Sequence, residues 1–154
     1  MSYKENLENF LSVLTSSSFI KNAIYNDAQR IVFINYYESY EDYKRENENS
    51  PHSEHVYADY FKSGAKIEKI LIEETARILR QFPFVNTVSV TLDFEGENYN
   101  VNVEREKLNS LIGFNIEETS NDDGSWQEKF QRIYGGGLRN DKRKMLLDHF
   151  RVFE

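Results

Sequence analysis

The 154-residue chain carries 39% hydrophobic and 29% charged residues, enough apolar side chain for one core and too little length for a second. A formal net charge of −7 opposes general binding to nucleic-acid phosphates, and the absence of cysteine excludes disulfides, thiolate metal sites and a cysteine nucleophile. With no apolar run of about 18 residues there is no transmembrane candidate, and Met1-Ser2-Tyr3-Lys4-Glu5 lacks the regions of a signal peptide.

In chain order, Leu7, Phe10, Leu11 and Leu14 follow Tyr3 at the three-and-four spacing of one helical face and predict an N-terminal amphipathic helix. Thr15-Ser16-Ser17-Ser18 interrupts it. Phe19 to Tyr25 and Arg30 to Tyr37 are β-prone runs on either side of Asn26-Asp27, which predicts a hairpin. Its second strand holds Ile31-Val32-Phe33-Ile34, apolar on both faces as a central strand would be. Residues 38–50 are polar and acidic, with Tyr40 and Tyr43 three apart, and predict a short helix that stops before Pro51. Ser53 can cap a long helix reaching about Phe82, with Val56, Tyr60, Ile67, Leu71, Ile78 and Leu79 along one side. A kink is expected at Ser63-Gly64, and Pro83 ends the helix.

In Thr87 to Phe94 the side chains of Val88, Val90, Leu92 and Phe94 alternate with polar ones. After Glu95-Gly96-Glu97 the alternation resumes as Tyr99, Val101 and Val103, a second hairpin with one wet face. A short helix from Glu104 to Ile112 ends at Gly113, and Asn121-Asp122-Asp123-Gly124 is a loop. Trp126, Phe130, Ile133 and Tyr134 predict another helix, broken by Gly135-Gly136-Gly137. Asp141 then caps a last helix carrying Met145, Leu146 and Phe150.

These elements predict an α+β fold: a four-stranded, mainly antiparallel sheet made of two hairpins, covered by one long helix and flanked by N- and C-terminal helices. The chain reads as a single domain, 1–154, with its core at 19–113 and a C-terminal helical extension at 125–153. The run Phe82-Pro83-Phe84-Val85-Asn86 leads into the Val88–Val103 hairpin and is followed by Arg105-Glu106-Lys107-Leu108 and Gly113. This stretch resembles an uncharacterised domain of exported proteins and lipoproteins in low-GC Gram-positive bacteria, over about residues 19–113. The resemblance implies a cell-envelope location and transfers no catalytic residue. Departing from that pattern, the start of the chain has no lipobox cysteine. If Met1 is the native start the reading is cytoplasmic, and if the chain is a mature segment it is envelope or extracellular.

Three clusters are candidate sites. Tyr36, Tyr37, Tyr40 and Tyr43 with Glu38 and Glu41 combine rings and carboxylates suited to a protein partner and are the preferred binding region, set against the commoner role of such rings in packing the connection between strand and helix. Arg139, Lys142, Arg143 and Lys144 follow three glycines and form the alternative, a regulatory protein holding an anionic ligand or nucleic acid, against a flexible turn with a solvated basic face. His52, His55 and Asp59 lack a fourth ligand, so no metal or other cofactor is expected. Glu73-Glu74 and Glu117-Glu118 are adjacent pairs that a helix points apart, and no nucleophile elbow occurs, so a non-enzymatic binding or interaction module is favoured over an enzyme. Nothing in the pattern sets the oligomeric state.

Overall fold

In the computed structural model, which describes residues 3–14, 16–62 and 64–152, the first helix, α1 (Tyr3–Ser12), turns Leu7 and Leu11 into the core. Strands β1 (Ile20–Asn26) and β2 (Ile31–Tyr36) form the expected antiparallel hairpin, with Ala23 opposite Ile34 and Tyr25 opposite Val32. Ser39 caps α2 (Tyr40–Glu46), its hydroxyl accepting from the Asp42 amide at 3.2 Å.

The anticipated single long helix is replaced by shorter segments. α3 (Glu54–Lys62) is followed by a continuous rod made of α4 (Gly64–Lys69), a π-helical turn (Ile70–Glu74) and α5 (Thr75–Gln81). Ser63, where the kink was expected, lies outside the described residues. On α3 the buried residues are Tyr57 and Phe61, which meet the Phe19 ring, and Val56 is left exposed. The rod is apolar on nearly every side, because one flank faces the sheet and the other is covered by the C-terminal helices.

Strand β3 (Thr87–Thr91) runs parallel to β2, so the sheet expected from two hairpins is a mixed one, with this pairing parallel and the other described pairings antiparallel. The helical crossover brings the chain back to the end of the sheet where β2 began, and that path dictates a parallel pair. The Arg30 carbonyl accepts from the Asn86 amide at 2.8 Å, tying the starts of the two strands together. The second hairpin takes a two-tier form. Near its tip, β4 (Asp93–Phe94) and β5 (Glu97–Asn98) flank Glu95 and Gly96, at φ of 50° and 80°, as a two-residue turn of primed type requires. At its base β3 pairs with β6 (Asn100–Glu104), placing Val88 opposite Val103 and Val90 opposite Val101.

After α6 (Arg105–Ile112), Gly113 takes the left-handed cap at φ 85°. The C-terminal region is part of the core rather than an extension of it. A π-helical segment (Gln127–Gly135) and α7 (Asp141–Phe150) bring Trp126, Phe130, Tyr134, Leu146 and Phe150 into the same apolar cluster as the sheet, whose inner face α7 helps to cover. The cap of α7 is Asn140, not Asp141, its side chain accepting from the Arg143 amide at 2.8 Å. A last short strand, β7 (Arg151–Val152), pairs with β6, giving five strands in the order β1-β2-β3-β6-β7.

Candidate functional site

The sequence-derived clusters are dispersed by the fold. Tyr36, Tyr37 and Tyr43 are buried, with Tyr43 only 2% exposed, and Tyr40 is half-buried. Their rings belong to a web around Phe19 that includes Tyr57 and Phe61. Aromatic side chains this close to β2 gain more from the core than from solvent, so they offer little contact area to a partner. Glu38 and Glu41 remain at the surface.

The basic cluster divides in the same way. Arg139, Lys142 and Lys144 are exposed, and Arg139 faces Asp141 at 3.8 Å. Arg143 is 0% exposed: it pairs with Glu68 at 3.1 Å and donates to the carbonyls of Tyr134, Gly136 and Gly137. Those carbonyls terminate the preceding helical segment, so Arg143 satisfies a helix end and holds α7 to α4. Of the histidines, His52 packs on Phe19, while His55 pairs with Asp59 on an exposed face. Among the described residues no group of three or more His, Cys, Asp or Glu is placed to hold a metal.

A cleft that no motif announced brings two arginines, three side-chain amides and an apolar wall together. It has a volume of about 340 Å³ and lies between the end of α1, the rod and the start of the C-terminal helical segment. Phe10, Val13 and Leu14 form one wall, Arg77 and Arg80 the second, and Asn121, Trp126, Gln127 and Gln131 the third. Arg77 donates to Glu73 at 3.2 Å, one turn earlier, and Gln131 donates to the same carboxylate oxygen at 3.3 Å. Arg80 differs. Only 8% exposed, it stacks its guanidinium 4.6 Å from the Trp126 ring, and its Nη1 has no hydrogen-bond partner. Burial first, and then the neighbouring Arg77 cation, push its pKa down, and no described carboxylate is placed to oppose them. A guanidinium nevertheless stays protonated in proteins, so the cleft holds a desolvated, uncompensated positive charge.

Comparison with protein-family models, curated proteins and solved structures finds no match to this chain. The chemistry of its clefts is therefore what distinguishes one function from another.

Arg77 also borders a smaller cavity of about 100 Å³ with Tyr60, Lys66, Glu73 and Glu74. Glu74 is buried there, its Oε1 accepting from the Ser16 amide at 3.0 Å and its Oε2 from the Ser16 hydroxyl at 2.6 Å. The Tyr36 hydroxyl lies 2.5 Å from the Ser16 hydroxyl, which completes a closed network. Burial raises the Glu74 pKa against the opposing pull of these hydrogen bonds. With Ser16 wholly enclosed, the network anchors the α1–β1 connection to the rod instead of presenting a nucleophile.

The one sequence signal for the open cleft is Arg80 itself. It continues the apolar run Ala76, Ile78 and Leu79, where a long cation has no structural reason to be buried. The other half of the site, Asn121 to Gln131, lies more than forty residues further along the chain, and no spacing rule connects the two.

Proposed function

We infer that this protein is a binding module whose cleft receives an anionic group on Arg80. The carrying observation is a guanidinium only 8% exposed that borders an open cleft, has no hydrogen-bond partner for its enclosed Nη1 and has no described carboxylate beside it. A buried charge without a partner is costly, and a ligand anion that completes its hydrogen bonds recovers that cost on binding. The described lining supplies guanidinium, amide and apolar groups and no hydroxyl, imidazole or carboxylate, which supports capture of the ligand over its chemical conversion. This moves the anion-binding role from the segment after the glycines to the rod.

The test is anion-dependent stabilisation. Acetate and inorganic phosphate should raise the unfolding midpoint of the wild type in proportion to the logarithm of their concentration above saturation, and should do so far less in Arg80→Met. Equal responses of both proteins would remove Arg80 from the site.

A second reading places a protein partner on the outer face of the sheet, favoured by Ile24, which is 57% exposed. Its cross-strand neighbour Phe33 and, two residues away, Ile31 are only half-buried, and the face continues through the Asn22–Asn35 and Ser89–Asn102 hydrogen bonds, each of 2.7 Å. Concentration-dependent sedimentation that Ile24→Glu abolishes would support a protein, in this case a second copy, on that face. Monomeric behaviour throughout would count against self-association there.

A further inference from the structure

The charge and the walls of the cleft narrow the class of anion, a step that rests on the anion-receiving reading above. Arg77 is already matched by Glu73 at 3.2 Å, so among the described lining residues Arg80 supplies the one surplus positive charge. One carboxylate balances one charge, whereas a phosphate monoester carries about −1.5 to −2 at neutral pH and would leave the cleft negative. The indole beside the cation is closed to a stacking nucleotide base. Trp126 is 1% exposed, held between Arg80 at 4.6 Å and Phe130 at 4.7 Å.

The apolar wall points to what accompanies the carboxylate. Phe10 and Val13 also line a neighbouring depression of about 600 Å³, together with Phe82 and Phe84. The Phe10 and Phe82 rings meet edge to face at 5.3 Å, and Phe82 meets Phe84 at 5.7 Å, so an apolar strip leads away from the cation. Val13 stands 77% exposed on the lip that the two depressions share, an apolar side chain with nothing of the described chain over it. Cation, amides and apolar strip occur in the order in which an amphiphilic acid presents its own groups.

We propose that the ligand is a small monocarboxylate with an apolar tail. The carboxylate lies on Arg80, and the tail crosses Phe10 and Val13 toward Phe82 and Phe84. Burial of each added methylene then strengthens binding by about fourfold until the strip is filled.

The experiment titrates the full chain with acetate, butanoate, hexanoate and octanoate, and with octanamide and inorganic phosphate as contrasts. Trp126, the single tryptophan, reports through its fluorescence, and calorimetry provides a check independent of it. The expected result is affinity rising about fourfold per methylene along the acid series, and octanamide at least tenfold weaker than octanoate. Arg80→Met should erase the preference for octanoate over octanamide. Val13→Asp, at an exposed position where folding is unaffected, should weaken octanoate at least tenfold by placing a like charge on the lip. If phosphate binds through Arg80 while carboxylate affinity stays flat with chain length, the monocarboxylate assignment is overturned and the anion-receiving cleft stands. If octanoate and octanamide bind equally and Arg80→Met changes neither, or if no probe binds, both are overturned.

Discussion

Arg80→Met should make the ligand-free protein more stable, the opposite of what most substitutions at a buried position do. In the wild type the guanidinium is withdrawn from water with Nη1 unpaired, and such a group costs about 1–3 kcal/mol or more when ionised. Its stacking on Trp126 at 4.6 Å returns about 0.5–2 kcal/mol, and its aliphatic stem packs as any apolar chain would. Methionine keeps the stem and a polarisable contact with the indole while removing the charge, so the balance favours the variant by about 1 kcal/mol. For a chain of this length that corresponds to a midpoint about 2–4 °C higher. Urea denaturation of both proteins in chloride buffer measures the difference, and repeating it with saturating octanoate should close or reverse the gap, because only the wild type gains from the ligand. A loss exceeding about 1 kcal/mol in the ligand-free variant would refute the reasoning, since it would mean that Arg80 holds the fold together.

Arg143→Met should behave in the contrary manner, losing about 3–5 kcal/mol in the same melts, because it strands Glu68 and three helix-end carbonyls; neutralising exposed Lys142 and Lys144 should change stability by less than about 0.5 kcal/mol. Tyr43→Ala should cost about 3 kcal/mol or more as a core deletion beside Phe19, and a value below about 1 kcal/mol would return the ring to the list of partner contacts. Val90→Asp, opposite Val101 on the inner face, should prevent cooperative unfolding from being seen at all, and a midpoint within a few degrees of wild type would contradict the sheet assignment. Glu74 has a folded pKa above its unfolded one, so its contribution favours folding fully below the unfolded value and is lost as pH rises through the folded one. The stability of Glu74→Gln relative to wild type should therefore increase from about pH 4 to pH 8, and a difference that stays flat would show that burial does not control this carboxyl.

Features written within a few consecutive residues were legible without a structure. The spacing of Leu7 and Leu11 and the Gly113 cap satisfy local rules of period and backbone conformation and stand where those rules put them, while the turn expected over Glu95-Gly96-Glu97 tightens to Glu95-Gly96 and Leu14 falls past the end of α1. The alternation of Val88, Val90, Val101 and Val103 likewise gave both strands and the set of side chains that share the inner face. Strand direction across the crossover was not legible, because β2 and β3 are joined through five helical segments whose packing alone decides where the chain re-enters the sheet. For the same reason the tyrosines of residues 36–43 left two readings open, a partner surface and the commoner role in the core, until Phe19, Tyr57 and Phe61 were set around them. Arg80 is the sharpest case. Its sequence neighbours mark the position as buried, yet whether a buried cation is neutralised depends on which carboxylates the fold brings within a few ångströms. Helical spacing alone places Glu73 one turn before Arg77, but only tertiary packing delivered Glu68 to Arg143, and to Arg80 it delivered only the face of Trp126. Coulomb interactions fall off over distances that sequence separation does not measure, so the unmatched charge exists only in the folded molecule.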